Sequence, residues 1–326
     1  MRVAVQGDGI AARCCARLLV AGGLDVTTER RGRATIPVIL IGSTTQKLFR
    51  ETFEREDLFD DLPAITRRVV AWGPGSEARA LPHSAVVVSE QYLLDQLPVE
   101  DGGGGGAQWT VYGSRPLPAV CVERHFGARN ANAFPVRMRE GVDAGACWIE
   151  SLENGWVFLL PAGKVAGWLL AVGEIGESPL AGSRLVANQI AGIAGEALAF
   201  PAHPRVAWPL CGEGWLACGT GALAFDPLGG DGSGNAIRES ILAAAVLRSV
   251  ARGEECGDLL GHYRSRILGG FLRHLEICLT FYETGGGTAW WRAQAQAIRE
   301  GLEWGRGQWE GEQAKFRLQG FDLERI

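Results

Sequence analysis

Lysine is nearly missing from this chain: Lys47 and Lys164 are the only two before residue 315. Neither sign of charge predominates. The formal net charge is −5 over 326 residues, with acids and bases interspersed, so nothing argues for nucleic acid or an anionic membrane as a partner. No apolar run reaches the ~18 residues of a membrane span, and no charged n-region and apolar h-region precede the first predicted strand. The expectation is a cytoplasmic protein. The five histidines (His83, His125, His203, His262, His274) are scattered, none at metal-ligand spacing. The eight cysteines form no paired C-x-x-C motif; even adjacent Cys14 and Cys15 read as buried or incidental thiols in a reducing compartment. No Ser-His-Asp order and no G-x-S-x-G occurs, and no acid–base residue stands out.

What the chain has is glycine, together with enough apolar residues (47%) to bury a core of one large or two smaller domains. Val3-Ala-Val-Gln-Gly7-Asp-Gly9-Ile-Ala-Ala12 reads as a strand running into a glycine turn and then a helix over 10–21. Such a turn aims unsatisfied N–H groups and a positive dipole end at a phosphate. Leu24 to Glu29 reads as the second strand of a βαβ unit. Glu29 lies twenty residues beyond Gly9, the spacing at which an acid accepts hydrogen bonds from an adenosine ribose. A second glycine loop, Asp226-Pro-Leu-Gly229-Gly-Asp-Gly232-Ser-Gly234-Asn235, opens a helix predicted over Ala236–Arg252. Two such loops imply one long dinucleotide held at both ends.

Between them the pattern predicts a helix over Thr44–Phe59, strands at Val69–Trp72 and Ala85–Val88, a short helix over Glu90–Leu97 and a strand at Trp109–Tyr112. Asp101–Ala107 contains five consecutive glycines and reads as a surface loop. Val120–Val172 is β-rich, with antiparallel strands around turns at Glu153-Asn-Gly155 and Ala162-Gly163. Leu185–Leu198 is predicted helical, Gly214–Cys218 a strand. In the helical C-terminal third, Trp291, Ala295, Ile298 and Leu302 recur at helical spacing and form one face. That face packs on the body of the protein or, alternatively, mediates homo-oligomerisation or stacks on an aromatic substrate.

Taken together, Gly7-Asp-Gly9-Ile-Ala-Ala12, Glu29-Arg30-Arg31, Gly155-Trp-Val-Phe-Leu-Leu-Pro161 and Phe225-Asp-Pro-Leu-Gly-Gly-Asp-Gly-Ser-Gly234 resemble FAD-dependent monooxygenases of the para-hydroxybenzoate hydroxylase fold. Within that fold the likeness is to flavin-dependent halogenases and to flavoproteins that oxidise peptide-bound tryptophan during quinone-cofactor maturation. The resemblance implies an α/β protein with a Rossmann-like FAD-binding domain, a β-sheet substrate layer and a helical C-terminal region. The corresponding segments are 1–119, 120–175, 176–252 (continuing the FAD-binding part) and 253–326. FAD would be the cofactor, with Gly7, Gly9 and Ala12 at its pyrophosphate and Glu29, beside Arg30, at its ribose. Asp226 and Pro227 would lie beside the isoalloxazine. Gly229, Gly230, Gly232, Gly234 and Asn235 would bring backbone N–H groups to its pyrimidine end. The substrate would be an aromatic or apolar small molecule, or a peptide-borne aromatic group. A flavin reductase or NAD(P)H would supply electrons.

Three departures accompany the likeness. Gly219-Thr220 stands where the family has Gly-Asp, so Thr220 would face the ribityl hydroxyls with a neutral hydroxyl. Tyr112-Gly113-Ser114-Arg115 lacks the aspartate that usually ends that strand. The segment between Leu97 and Trp109 is short. The family's Val-Gly-Glu-Ser segment is matched by Pro37–Thr45 without its glutamate, and neither early lysine matches the halogenase lysine. The alternatives to an FAD-binding oxidoreductase are a non-catalytic module of the same fold that binds a partner, and an NAD-dependent dehydrogenase.

Overall fold

In the computed structural model, which describes residues 1–99, 106–174, 178–309 and 315–326, the first strand, Arg2–Gln6, lies second from one edge of a five-stranded sheet whose central strand is Trp109–Tyr112. Its neighbours Asp25–Glu29 and Trp109–Tyr112 run parallel to it, followed by Trp215–Ala217, also parallel, and the antiparallel edge pair Cys211–Gly212. Val3, Val5, Val26 and Val111 are buried, as expected of strands covered on both faces. The helix Ile10–Ala21 packs closely on this sheet because its inner positions are small: Ala11, Ala12, Cys14, Cys15 and Ala16.

The long helix Gly232–Ala251 lies against that first helix, the helix Ser43–Phe53 and the helix Cys256–Thr284. Surrounded in this way, it buries Ala243, Ala244, Ala245, Val246 and Leu247 in succession, so it shows no polar stripe. It begins in the glycines, four residues before the predicted start.

A second, nine-stranded sheet has the order Ile190–Ile193, Asn130–Met138, Ala166–Gly173, Gly155–Pro161, Ala146–Leu152, Ala64–Ala71, Arg79–Val88, Ile39–Gly42, with Leu198–Pro201 also paired to Asn130–Met138. Every pairing is antiparallel except that of Ala64–Ala71 with Ala146–Leu152. The β-rich reading of 120–172 and its turns at Glu153–Gly155 and Ala162–Gly163 is observed, and the layer recruits strands from both flanking segments. Side chains alternate strictly. Trp148, Val157, Leu159 and Leu169 point to a core covered by Val186 and Ile190, whereas Ile149, Trp156 and Val172 join the main core beneath the first sheet.

Two expectations fail here. The helix predicted at Thr44–Phe59 ends at Phe53, where Glu54 adopts a left-handed conformation (φ 53°) and its N–H closes on Arg50. The helix predicted at Leu185–Leu198 is a single 3₁₀ turn, Ala187–Gln189, followed by strands Ile190–Ile193 and Leu198–Pro201. The buried Glu150 carboxylate takes the N–H groups of Arg184, Leu185 and Val186, and the free edge of Asn130–Met138 takes the strands. Tertiary hydrogen bonds override local helix propensity.

A three-stranded sheet (Val122–His125, Arg205–Trp208, Leu223–Ala224) bridges the layers. Helices Cys256–Thr284 and Ala289–Gln308 close the molecule, with Trp291, Ala295, Ile298 and Leu302 all buried, the predicted face. The C-terminal region is not wholly helical: Phe316–Gln319 and Asp322–Arg325 form a hairpin. Asp322 of this hairpin pairs with Arg248 and Arg252, 2.9 Å each. The glycine-rich loop expected at 101–107 falls mainly outside the described residues. No helix among the described residues is long and apolar enough to cross a membrane.

Candidate functional site

The parallel strands end together at Gln6, Glu29, Tyr112 and Ala217, and helices or turns leave from that edge. Gly7 turns the chain at φ 120°, a conformation L side chains rarely adopt, and its N–H donates to Glu29 O at 2.8 Å. A Cβ there would lie 3.0 Å from Ser114 Oγ. Gly9 is the N-cap of Ile10–Ala21 and no side chain caps the helix, so its first amides have no side-chain partner. Two buried oxygens at this edge, Asp8 Oδ1 and Ser114 Oγ, also have no hydrogen-bond partner among the described residues. Ala12 packs on Gly113, where a Cβ would lie 3.0 Å from its methyl, so strand end and helix touch.

Cationic groups attend this turn. Arg33 forms a two-pronged ion pair with the buried Glu90, and a Cβ on Gly9 would sit 2.8 Å from Arg33 Nη2. Arg13 donates to Asp8 O, Leu94 O and Leu97 O. Glu29 is exposed at the end of its strand and pairs with Arg31 at 2.8 Å; Arg30 is exposed beside it. Beneath the edge, Cys14, Cys15 and Cys218 are buried free thiols that burial pushes well above the ordinary thiol range, so they are inert.

Thr220 lies on the short helix Gly219–Ala222, exposed, with Oγ1 donating to Gly113 O at 3.2 Å. It therefore adjoins Gly113 and, through it, the first turn. Gly219 N–H donates to Glu239 Oε2 at 2.7 Å. Burial pushes the Glu239 carboxyl up to about 8, against the lowering effect of that hydrogen bond and of Arg238.

The second glycine loop is built differently. Asp226 is 1% exposed and each of its oxygens is taken. Oδ1 accepts from Leu228 N–H at 2.8 Å, capping the 3₁₀ turn Pro227–Gly229; Oδ2 accepts from Tyr282 OH at 3.0 Å and from both Nε and Nη2 of Arg129. Asp226 N–H donates to His274 Nε2 at 2.9 Å, and burial lowers that imidazole to about 4, so it is neutral and accepts. Trp156 Nε1 donates to Tyr282 OH, and Arg129 Nη1 to Gln294 Oε1.

Beyond this strut the loop opens. Gly229, Gly230 and Gly232 are exposed, Gly230 in the left-handed region at φ 62°, while Pro227 is half-buried. The N–H groups of Gly229 and Gly230 close turns onto Asp226 O and Pro227 O. The first intrahelical bond runs from Asn235 N–H to Asp231 O, and no side chain caps the helix, so Gly232, Ser233 and Gly234 carry its first-turn amides. Gly234 is buried because Asp231 and Thr45 crowd it; the Asp231 carboxylate accepts from Thr45 Oγ1 at 3.1 Å and pairs with Arg238, which also binds Asn235 Oδ1. Thr45 belongs to a third helix, Ser43–Phe53, whose N-terminus likewise has no side-chain cap.

Gly7, Gly9 and Ala12 are thus brought together with Gly113, Ser114 and Thr220, while Asp226 is withdrawn into the core. Arg33, Ser114 and Arg129 went unmarked in the sequence. Arg33 sits in the basic run 30–33, a signal that was legible; Arg129 had none, since its partner lies 97 residues away.

The residues fit a dinucleotide at the first turn: uncapped helix amides, a serine hydroxyl without a partner, two glycines where side chains would intrude, and guanidinium groups beside Asp8. They leave less freedom at the second loop, where the acid is already satisfied by the protein.

No family model and no curated protein matches the sequence. Solved structures do match in three dimensions. The flavin-dependent halogenase CmlS superposes with a TM-score of 0.75 over 93% of this chain and 70% of its own, at 16% identity. The peptidyl tryptophan dihydroxylase QhpG, essential for tryptophylquinone cofactor biogenesis, does so with a TM-score of 0.73 over 100% of this chain and 86% of its own, at 19% identity. The 2,6-dihydroxypyridine-3-hydroxylase from Arthrobacter nicotinovorans matches at 0.65 over 88% and 94%, at 14% identity. The chain therefore has the fold shared by flavin-dependent halogenases and FAD-dependent hydroxylases.

Proposed function

We propose that this chain binds FAD and is a monooxygenase-like oxidoreductase acting on an aromatic or apolar substrate. The observation that carries the reading is the open first turn: an uncapped helix N-terminus behind Gly7 and Gly9, flanked by the partnerless Ser114 hydroxyl and by Arg33. Amides and a dipole end of this kind bind anionic phosphate, and the fold is that of flavin-dependent proteins. Gly7, Gly9, Ser114 and Arg33 would hold the pyrophosphate, with Glu29 turning from Arg31 to the ribose. Thr220 would meet the ribityl hydroxyls, and Gly232–Gly234 would offer first-turn amides to the pyrimidine edge. Bound there, FAD would supply two-electron redox chemistry and reactivity toward oxygen. The chain's own part is to bind, to orient and, through the nine-stranded sheet, to exclude water from the substrate side.

A second reading, a cofactor-free module that binds a partner, is favoured by one observation: Asp226 is consumed by Arg129, Tyr282 and Leu228 and serves packing. Reconstitution separates the two. The purified chain, incubated with FAD and desalted, should retain a flavin spectrum, quench flavin fluorescence and melt higher. Stabilisation by NADH alone, with none by FAD, would sink the first reading.

A further inference from the structure

A file of indole and phenol rings runs from the Asp226 strut to the protein surface. Trp156 Nε1 donates to Tyr282 OH at 3.2 Å, and Tyr282 OH donates to Asp226 Oδ2 at 3.0 Å. The Tyr282 ring centre lies 5.6 Å from that of Trp291, which in turn lies 5.7 Å from Trp72. Trp290 forms a side branch, 4.9 Å from Trp291 and 6.1 Å from Tyr282. Trp156, Tyr282 and Trp291 are buried, whereas Trp72, which follows Ala64–Ala71, is half-buried beside the exposed ring of Phe281. The polar ends are all answered: Trp72 Nε1 donates to Phe281 O at 3.0 Å, and Trp291 Nε1 to Leu152 O and Glu153 O. Leucine or phenylalanine would fill the same space without needing those partners.

Indole and phenol are also the aromatic side chains that give up one electron most readily, and rings in edge contact can exchange it. A phenol, once oxidised, is a strong acid and needs a base within reach. Burial, and then the charge of Asp226, hold the Tyr282 hydroxyl well above the ordinary phenol range, so it starts as a neutral phenol. The Arg129 guanidinium stands 4.6 Å from the centre of its ring and opposes a positive charge there. Tyr282 therefore yields its electron together with its proton. The base is Asp226 Oδ2, which already accepts that hydrogen.

We propose that Tyr282, Trp291 and Trp72 form a one-electron relay between the second glycine loop and the surface. Pro227 and the exposed glycines follow Asp226 directly, so the buried end of the relay adjoins that loop. In use, a one-electron oxidant derived from oxygen beside the loop takes an electron from Tyr282, whose proton crosses to Asp226. Trp291 refills Tyr282, Trp72 refills Trp291, and a thiolate in solution refills Trp72 and becomes a thiyl radical. Asp226 then returns the proton. The sum is one electron carried from a thiolate to the oxidant, which spares the loop from oxidation. This direction of use rests on reading the second glycine loop as the flavin side; the conduction rests on the rings alone.

Driving the relay backwards tests it. A ruthenium trisbipyridyl sensitiser, flashed with a sacrificial electron acceptor and no added FAD, oxidises Trp72 from outside. Tyr92→Phe serves as the parent background, because Tyr92 is exposed and would be oxidised directly. Transient absorption should show a tryptophan radical that decays as a tyrosyl radical rises, more slowly in heavy water because a proton moves. Tyr282→Phe should abolish the tyrosyl rise and prolong the tryptophan radical. Trp72→Phe and Trp291→Phe, two independent breaks in the file, should each suppress the tyrosyl rise, and melting curves confirm that the variants fold. A parent without a tyrosyl rise overturns the proposal. So does a rise undiminished in Tyr282→Phe or in either break, since a cluster that only packs would leave the radical where it formed or spread it at random. Because no FAD is added, failure of the chain to bind FAD refutes the cofactor reading separately, while these traces still decide the relay.

Discussion

The two glycine-rich loops look alike in sequence and both open a helix that no side chain caps, but they are anchored differently. The turn from Gly7 to Ala12 leaves its donors open: no cap, a hydroxyl without a partner and guanidinium groups close by. The loop from Asp226 to Asn235 is anchored by an acid whose oxygens and amide are all engaged by the protein, and only its tip is exposed. Glycine allows close approach in both places, but what approaches is different. In the first it is the Ser114 hydroxyl at Gly7 and the Arg33 guanidinium at Gly9; in the second it is His274, a Cβ on Gly229 falling 2.8 Å from its ring, and Asp231 folding back over its own helix. A glycine pattern therefore marks where the backbone is bare and does not say what fills the gap.

The sharpest way to break this contrast is Asp226→Ala. If Asp226 is a strut, its loss leaves Arg129 charged and buried without its partner, a change worth about 3–5 kcal/mol of stability. A residue that merely capped the following turn would cost about 1 kcal/mol. Denaturant unfolding distinguishes the two, and the pair Asp226→Leu with Arg129→Met should recover much of the loss.

Glu239, beneath the start of Gly219–Ala222, gives a pH-dependent effect. Its carboxyl is pushed up to about 8 in the folded chain, against roughly 4.3 for an ordinary glutamate in the unfolded one. Between those values the folded chain holds a proton that the unfolded chain has released, so this residue's contribution to stability falls as pH rises, by at most about 1.4 kcal/mol per unit. Glu239→Gln, which keeps an acceptor for Gly219 N–H, should match the parent near the acid end of this window and exceed it by up to a few kcal/mol at the alkaline end. Parallel stability curves for the two proteins would show that Glu239 is ionised in the fold.

Gly7→Ala sharpens the other side of the comparison. At φ 120° a side chain is strained by roughly 1–3 kcal/mol, and its Cβ would press on Ser114 Oγ. We expect that loss of stability together with loss of FAD retention after desalting; unimpaired retention would remove the first turn from the binding site. The smallest effect is expected from Thr220→Asp. The residue is exposed and already bonded to Gly113 O, so a carboxylate there should tighten FAD by no more than about 1–2 kcal/mol. Equal flavin retention by variant and parent would place the ribityl chain elsewhere.

Much of the fold was legible because period and punctuation agreed. Val3 and Val5, then Gly7 and Gly9, then a small-residue helix ending at Ala21, came out to the residue. The Trp291, Ala295, Ile298 and Leu302 face was legible for the same reason. Leu185–Leu198 was not, since its conformation is dictated by Glu150 and by the open edge of a strand some fifty residues earlier. At the site, the residues of the first turn were named from their spacing, whereas Ser114 and Arg33 matter through what they lack or what they face.

By itself the sequence determined that a strand–turn–helix with bare backbone at Gly7 and Gly9 would open the chain, that a β-rich layer would sit in its middle, and that apolar faces would pack the C-terminal helices. These follow from local rules: side-chain period, glycine at positive φ, and dipole ends where helices begin. Only the tertiary structure decided that Asp226 is spent on Arg129 while Thr220 stays exposed beside Gly113. Which charges meet across a core depends on the crossing of sheets and helices, and no local rule in the chain encodes it.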